Sequence, residues 1–349
     1  DARVRAALAG RGVGWAESGS PYAVTPGRVR SGSGHGFTVF AAFLRGWRQH
    51  GWRAPAVEPD RLRLLGRDSD DDVQAWLEES VASCPVPLPE AGEDAALSRW
   101  SEFLADGLEG YATDRDRPDL TGTSRLSPYL KFGVLHPRTL LADLAVRAGD
   151  GAERFVAELA WREFYADVLA RRPDSLTADL SPLPIAYDEP GERFAAWQKG
   201  RTGYPIVDAG QRQLLATGWM HNRVRMISAS FLTKDLHVWW PHGARWFLDR
   251  LLDGDLASNT HGWQWVAGTG TDAAPYFRVF NPTLQGERFD PAGDYVRRWV
   301  PELGHLAGAS VHRPWDAADG YAHGYPSRIV DHAAERREAL ARYQVARGR

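Results

Sequence analysis

From Gly92 to the C-terminal end, apolar residues recur at the three- and four-residue spacing of amphipathic helices. The pattern covers about 93–111, 136–148, 151–171, 205–237, 243–252, 257–266 and 327–346. Strand-like alternation is nearly absent from the same stretch, so a sheet has nothing to build on there. The pattern predicts an all-α domain over residues 93–349. A chain of this size can bury a full core without disulfide or metal staples.

The residues before it read differently. Val4–Leu8 predicts a short amphipathic helix, Val13–Trp15 and Tyr22–Val24 short strands, and Phe37–Trp52 a stronger helix. Residues 1–57 are expected to be the end of an α/β unit. Residues 58–92 are expected to be a linker: the acidic run Asp68-Ser69-Asp70-Asp71-Asp72 reads as solvated surface, and Pro85, Pro87 and Pro89 disfavour helix. Gly32-Ser33-Gly34-His35-Gly36 lacks the strong preceding strand and the ribose acid of a dinucleotide fingerprint, and reads as a loop.

Composition excludes several classes. With 43% hydrophobic and 25% charged residues the chain has soluble-globular composition, and no apolar run approaches the ~18 residues of a membrane span. The single cysteine, Cys84, excludes an internal disulfide and a cysteine-rich metal site, and no other ligand cluster suggests a metal. No secretory signal opens the chain, and a cytoplasmic location is expected. The formal net charge of −3 argues against a uniformly basic nucleic-acid binder, but residues 197–250 hold eight Lys or Arg against three Asp and no Glu. An anionic partner on that side is therefore expected.

Four constellations carry chemistry. Gly122-Thr123-Ser124-Arg125-Leu126-Ser127-Pro128-Tyr129-Leu130 reads as a helix start with hydroxyls and an Arg, suited to phosphate or serving as a plain N-cap. On a helix, Glu158, Trp161 and Arg162 share a face, as a hydrogen-bonding and stacking surface or as an ion pair over a buried indole. Trp219, Asn222, Arg223 and Met226 fall on one helical stripe, with Arg225 pointing about the other way. A core stripe would not carry Asn and Arg, because burying them unpaired costs several kcal/mol. Asp253-Gly254-Asp255 precedes Asn259, Trp263 and Trp265; the carboxylates suit acid/base work or loop capping, and the indoles suit an aromatic-lined space or plain core. Tryptophan is abundant here: eight of the 15 lie between Trp161 and Trp265. The sum asks for a large planar phosphorylated cofactor and a nucleic-acid ligand.

The order and spacing of five strings, beginning at Gly122, Trp161, Gly203, Gly218 and Gly268, resemble the photolyase/cryptochrome family over roughly residues 3–346, and most closely its class I cyclobutane pyrimidine dimer photolyases. The last string runs Gly268-Thr269-Gly270-Thr271-Asp272-Ala273-Ala274-Pro275-Tyr276-Phe277-Arg278. The resemblance implies an α/β antenna domain joined by a linker to a helical FAD domain, with the first part of the antenna domain lacking here and the antenna chromophore unspecified. It implies that Tyr111, Thr123, Ser124, Arg125, Leu126 and Ser127 hold the FAD phosphates and ribityl chain. Arg162, Arg225, Asp253 and Asp255 would surround the isoalloxazine, with an Arg225–Asp253 ion pair, and Asn259 would approach N5.

The same resemblance implies that Glu158, Trp161, Asn222, Arg223, Met226 and Trp265 line a pocket for the flipped-out dimer of UV-damaged DNA. Asn222 after His221 favours the cyclobutane lesion over the (6-4) lesion. The implied activity is light-driven repair, in which excited FADH⁻ lends the dimer one electron and recovers it. Trp263 and Trp240 would be the inner and middle members of the photoreduction chain, with Tyr187 at the outer position and Trp239 or Trp197 as substitutes. A monomer acting away from membranes is expected. The alternative within the family is a blue-light cryptochrome without repair activity.

Overall fold

The computed structural model describes residues 2–17, 19–57, 59–61, 71–272 and 278–348. Sixteen α-helices are assigned among them. They begin with α1 (Ala2–Ala9), α2 (Phe40–His50), α3 (Asp71–Ala82), α4 (Glu93–Glu102), α5 (Tyr111–Asp114), α6 (Ser127–Lys131), α7 (Pro137–Ala145) and the long α8 (Asp150–Arg171). The second half contributes α9 (Glu192–Gln198), α10 (Pro205–Thr217), α11 (Asn222–Ser230), α12 (Trp240–Leu248), α13 (Leu256–Ala267), α14 (Pro282–Phe289), α15 (Asp294–Trp299) and α16 (His332–Ala346). Two π-helical stretches, Phe103–Gly107 and Phe231–Asp235, extend α4 and α11.

The buried side chains fall into two clusters. One joins α9 to α13 and α15 around Trp197, Trp240, Phe247, Trp263 and Tyr295. The other joins α4, α7 and α8 to residues 23–47 around Trp47, Phe43, Trp100, Leu140 and Phe164. The all-α expectation for the larger part of the chain holds. α8 packs on both α2 and α13, so it lies between the clusters.

Three expectations are corrected. Among the described residues there is no strand, only an isolated bridge between Asp188 and Val238. Val13–Trp15 and Tyr22–Val24 are not strands, and for the second run the reason is visible in its backbone partners. Ala23 and Val24 donate their N–H groups to the Glu163 carboxylate, while the Ala23 carbonyl accepts from the Arg138 guanidinium at 2.9 and 3.1 Å. Side chains of α7 and α8 take the place of a neighbouring strand.

Second, the helical pattern over 205–237 is two helices. Gly218 adopts φ 65° and closes α10 in the left-handed region that glycine enters without steric cost. His221 then caps α11, its Nδ1 accepting from the Arg223 N–H at 3.2 Å. Third, α3 lies inside the stretch read as linker, with Asp71 and Asp72 in its first turn, where carboxylates favour the helix dipole. Asp68, Ser69 and Asp70 of the acidic run lie outside the described residues.

Candidate flavin and substrate site

Between α4, α6, α10 and the turn before α11 lies a cavity of about 540 Å³, within the ~300–1,000 Å³ usual for cofactor sites. Thr121, Thr123 and Thr217 supply hydroxyls to its wall, and Arg99 and Arg125 supply two guanidinium groups. Trp219 closes one side, with the Arg125 guanidinium 3.6 Å from its ring centroid. Arg125 sits at φ 56°, an uncommon conformation for a residue with a side chain. Desolvation, and then the like charge of Arg99, push the Arg125 guanidinium below its ordinary pKa. Glu90 and Glu102 also line the cavity, and an anion held between the two guanidinium groups would offset their like charge.

The sequence placed Trp219 on the α11 stripe. The structure puts it in the turn that Gly218 creates, and so on the cavity wall. Around Arg125 the segment follows the expected pattern only in part. Leu126 is buried, its N–H reaching the Ser124 hydroxyl at 3.4 Å, and Ser127 opens the short helix α6 with Pro128 behind it. Tyr111 packs in the core, edge-on to Phe103 at 5.5 Å and tilted against Phe155 at 5.2 Å.

Next to the cavity, beyond Leu252, the structure pairs Arg225 with Asp253. Arg225 Nη2 lies 2.9 and 2.8 Å from the two carboxylate oxygens, and its Nε donates to the Met220 carbonyl at 2.7 Å. Asp255 caps α13, accepting from the Ser258 N–H at 2.7 Å. Asn259 donates to the Ala244 carbonyl at 3.0 Å, which leaves its side-chain oxygen for another donor. Arg162 is held by backbone: it donates to the Pro21 and Leu130 carbonyls, both at 3.0 Å, and stacks over Tyr22 at 4.3 Å. The alternative of an intrahelical Glu158–Arg162 pair is therefore not what forms.

Glu158 pairs across to Arg115 at 3.1 Å, with Arg154 at 3.5 Å on its own helix. The next residue, Asp116, pairs with Arg223 at 2.9 Å. Arg223 in turn approaches the Met226 sulfur at 3.8 Å and lies over the Phe289 ring at 4.5 Å. The Arg115–Asp116 dipeptide thus brings Glu158 of α8 together with Arg223 and Met226 of α11. Neither residue was singled out from the sequence; the adjacent opposite charges after a short helix were the available signal. Burial raises the Glu158 pKa against the lowering effect of Arg115 and Arg154.

Trp161 is half-buried, and Phe40 of α2 lies flat against it, with ring centroids 3.6 Å apart and planes 7° apart. A base stacking on this indole has only the opposite face. Asn222 is exposed at the first position of α11, and Trp265 is half-buried at the edge of the second-half core. Residues 273–277 of the fifth string lie outside the described residues.

The indoles named for electron transfer lie together in the interface of α12 and α13. Trp263 packs against Gly243, where an added Cβ would fall 2.2 Å from the ring, and Trp240 is fully buried one turn earlier on the same face of α12. The Trp239 ring centre is 6.3 Å from that of Trp240, and the Trp197 ring centre is 6.2 Å from that of Trp263. Tyr187 is half-buried, and burial, with the Asp179 charge second, raises its phenol pKa. Among the described residues, no group of three or more His, Cys, Asp or Glu could hold a metal, and no helix is long and apolar enough to cross a membrane.

An all-helical body with an anion-seeking cavity, a buried Arg–Asp pair beside it and a run of packed indoles defines a protein built for a planar phosphorylated redox cofactor. A family model described as the FAD binding domain of DNA photolyase matches residues 155–345. The deoxyribodipyrimidine photo-lyase of Vibrio cholerae is 41% identical over 98% of this chain and 75% of its own length. That of Streptomyces griseus is 44% identical over 93% and 71%. Among solved structures, a bacterial class III photolyase from Agrobacterium tumefaciens superposes with a TM-score of 0.84 at 35% identity, covering 100% of this chain and 76% of that one. A Synechocystis cryptochrome superposes with a TM-score of 0.80 at 27% identity, covering 97% and 75%. The chain belongs to the photolyase/cryptochrome family.

Proposed function

We propose that this chain is a DNA photolyase that repairs cyclobutane pyrimidine dimers with light, holding FAD in the helical body and the flipped-out lesion against α8 and α11. The observation that carries the reading is the convergence of Glu158, Arg223 and Met226 at one rim through Arg115 and Asp116. The names carried by relatives about 40% identical over most of the chain support it. When bound and reduced, FAD supplies the excited-state electron that opens the cyclobutane ring.

The residues do the rest. Thr123, Ser124, Arg125, Leu126 and Ser127, with Tyr111 behind them, hold the phosphates and ribityl chain. Arg162, Arg225, Asp253 and Asp255 fix the ring system, and the Arg225–Asp253 pair keeps two charges neutralised beside it. Asn259 offers an amide toward N5, adding no negative charge next to a reduced anionic flavin. Glu158 hydrogen-bonds the pyrimidine edge where charge develops. Trp161 and Trp265 stack on the bases, at ~1–3 kcal/mol per base, against the few kcal/mol that flipping costs. Arg223 and Asn222 take the flanking backbone, and Met226 fills the apolar side. Trp263, Trp240 and Tyr187 carry electrons inward for photoreduction.

In this reading residues 1–57 are the last part of an α/β antenna unit, 58–92 the connector and 93–349 the catalytic body. The class is I, the protein acts as a monomer, and it works in the cytoplasm. The runner-up, a blue-light receptor without repair, has the cryptochrome structure at 27% identity in its favour. Thymine-dimer loss under blue light separates the two, and Glu158→Ala tests the site. The repair reading expects flavin content to stay and repair yield under blue light to fall in the variant. An unchanged yield removes Glu158 from the chemistry.

A further inference from the structure

We propose that Asp179 is the proton acceptor for Trp240 when that indole is oxidised, which makes the middle step of photoreduction a proton-coupled electron transfer. The proposal rests on the reading that Trp263 and Trp240 carry electrons toward bound FAD. Trp240 is fully buried, and its indole Nε1–H donates to Asp179 Oδ1 at 2.7 Å. Asp179 lies in the loop between a short 3-10 turn, Pro173–Leu176, and α9, and is itself half-buried. The hydrogen bond therefore joins a dry indole to a carboxylate at the solvent margin.

An indole that has lost an electron is a far stronger acid at nitrogen than the neutral ring. A positive charge left on a fully buried ring is also costly. A carboxylate already hydrogen-bonded to that nitrogen removes both costs without any atom moving far. The electron would pass from Trp240 to the oxidised Trp263, whose own electron photoexcited, oxidised FAD would take when bound. The Trp240 N–H bond breaks, and the proton forms an O–H bond on Asp179. Trp263 returns to its neutral closed-shell form, Trp240 becomes a neutral radical and Asp179 a neutral acid, so charge and electrons balance.

Proton loss lowers the driving force for the electron to fall back to Trp240 from the flavin side. The separated state then lives long enough for an outer donor to act. Two of the three candidate outer donors lie on this side. Trp239 lies 6.3 Å from Trp240, and the phenol of Tyr187 feels the Asp179 charge. Asp179 thus faces the middle of the relay and one of its exits.

The test is laser-flash spectroscopy of the holoenzyme with oxidised FAD, comparing wild type, Asp179→Asn and Trp240→Phe in H₂O and D₂O. Asparagine keeps an oxygen to accept the indole hydrogen bond but cannot take the proton. Wild type is expected to show the neutral tryptophan radical, forming more slowly in D₂O. Asp179→Asn is expected to show the cation radical instead, with the solvent isotope effect gone and the yield of reduced flavin several-fold lower. The same neutral radical with the same isotope effect in Asp179→Asn would overturn the proposal. Normal photoreduction in Trp240→Phe would instead overturn the relay reading beneath it. A second readout needs no flavin. In ¹⁵N-tryptophan spectra of the flavin-free protein, the indole proton signal lost in Trp240→Phe should lie downfield of its peers and move upfield in Asp179→Asn. An unmoved signal would show that the hydrogen bond does not exist in solution.

Discussion

His221 shows how a single buried ring can set a pH response. Its Nδ1 caps α11, while its Nε2 has no hydrogen-bond partner among the described residues and the side chain is almost fully buried. Burial lowers its pKa to about 4 from the ordinary 6.5. Between those values the unfolded chain binds a proton that the folded chain refuses, so the ring's contribution to stability rises with pH across that window. Acidification from pH 6.5 to 4 should therefore remove about 3 kcal/mol through this group. Buried acids such as Glu163 and Asp208, whose pKa values are raised, act in the opposite sense. The informative quantity is a difference: urea unfolding of His221→Asn, which retains a capping acceptor, should show a shallower acid-side loss than wild type. Identical slopes would refute the assignment. Residue-scale chemistry was only half legible beforehand. The Arg225–Asp253 pair was expected from the family resemblance, with Arg225 inside one of the shared strings and Asp253 outside them. The pairing of Glu158 with Arg115 was not, since helical spacing shows Arg154 as a neighbour but says nothing about a residue just past the end of α5.

At the scale of elements, the consequential feature is the break between α10 and α11. Periodicity ran through it because both helices are apolar on compatible faces, and a lone glycine in a helical pattern is a weak stop signal. Gly218 N donates to the Leu214 carbonyl, and the Gly218 carbonyl accepts from Leu252. The turn thereby swings Trp219 onto the cavity wall and ties it to the Asp253 segment. A Cβ at Gly218 would meet Leu252 Cγ at 2.7 Å in addition to the left-handed backbone cost. Gly218→Ala should lose about 2 kcal/mol in chemical denaturation and purify with less bound flavin. Full flavin content at wild-type stability would mean that the turn does not shape the cavity. Helices α14 and α15 escaped the sequence reading because they are eight and six residues long, too short for periodicity to accumulate.

At the scale of the whole molecule, residues 20–47 are tied to α8 by their backbone and one indole. Glu163 is buried in the middle of α8 and accepts the N–H groups of Ala23 and Val24 and the Trp47 indole at 2.6 Å. Burial raises its pKa in spite of these three donors. Asp167, one turn on, accepts from Gly27 at 2.7 Å. The same attachment brings Phe40 against Trp161. Sequence alone reads Tyr22–Val24 as a short strand and shows nothing of this attachment; only α8, more than a hundred residues later, shows where the backbone groups of Ala23, Val24 and Gly27 go. Glu163→Ala leaves three buried donors without an acceptor and should cost about 3 kcal/mol or more. It should also depress dimer repair further than it depresses flavin content, because Trp161 loses its backing ring. Equal losses of the two would argue that Phe40 does not shape the substrate side.

The most direct measurement is loss of thymine dimers in UV-irradiated oligo-dT under blue light, with the purified, FAD-loaded and chemically reduced protein. Recovery of thymine absorbance that requires both light and reduced flavin is the predicted result. Retained flavin with no dimer loss would contradict repair and leave a photoreceptor in its place.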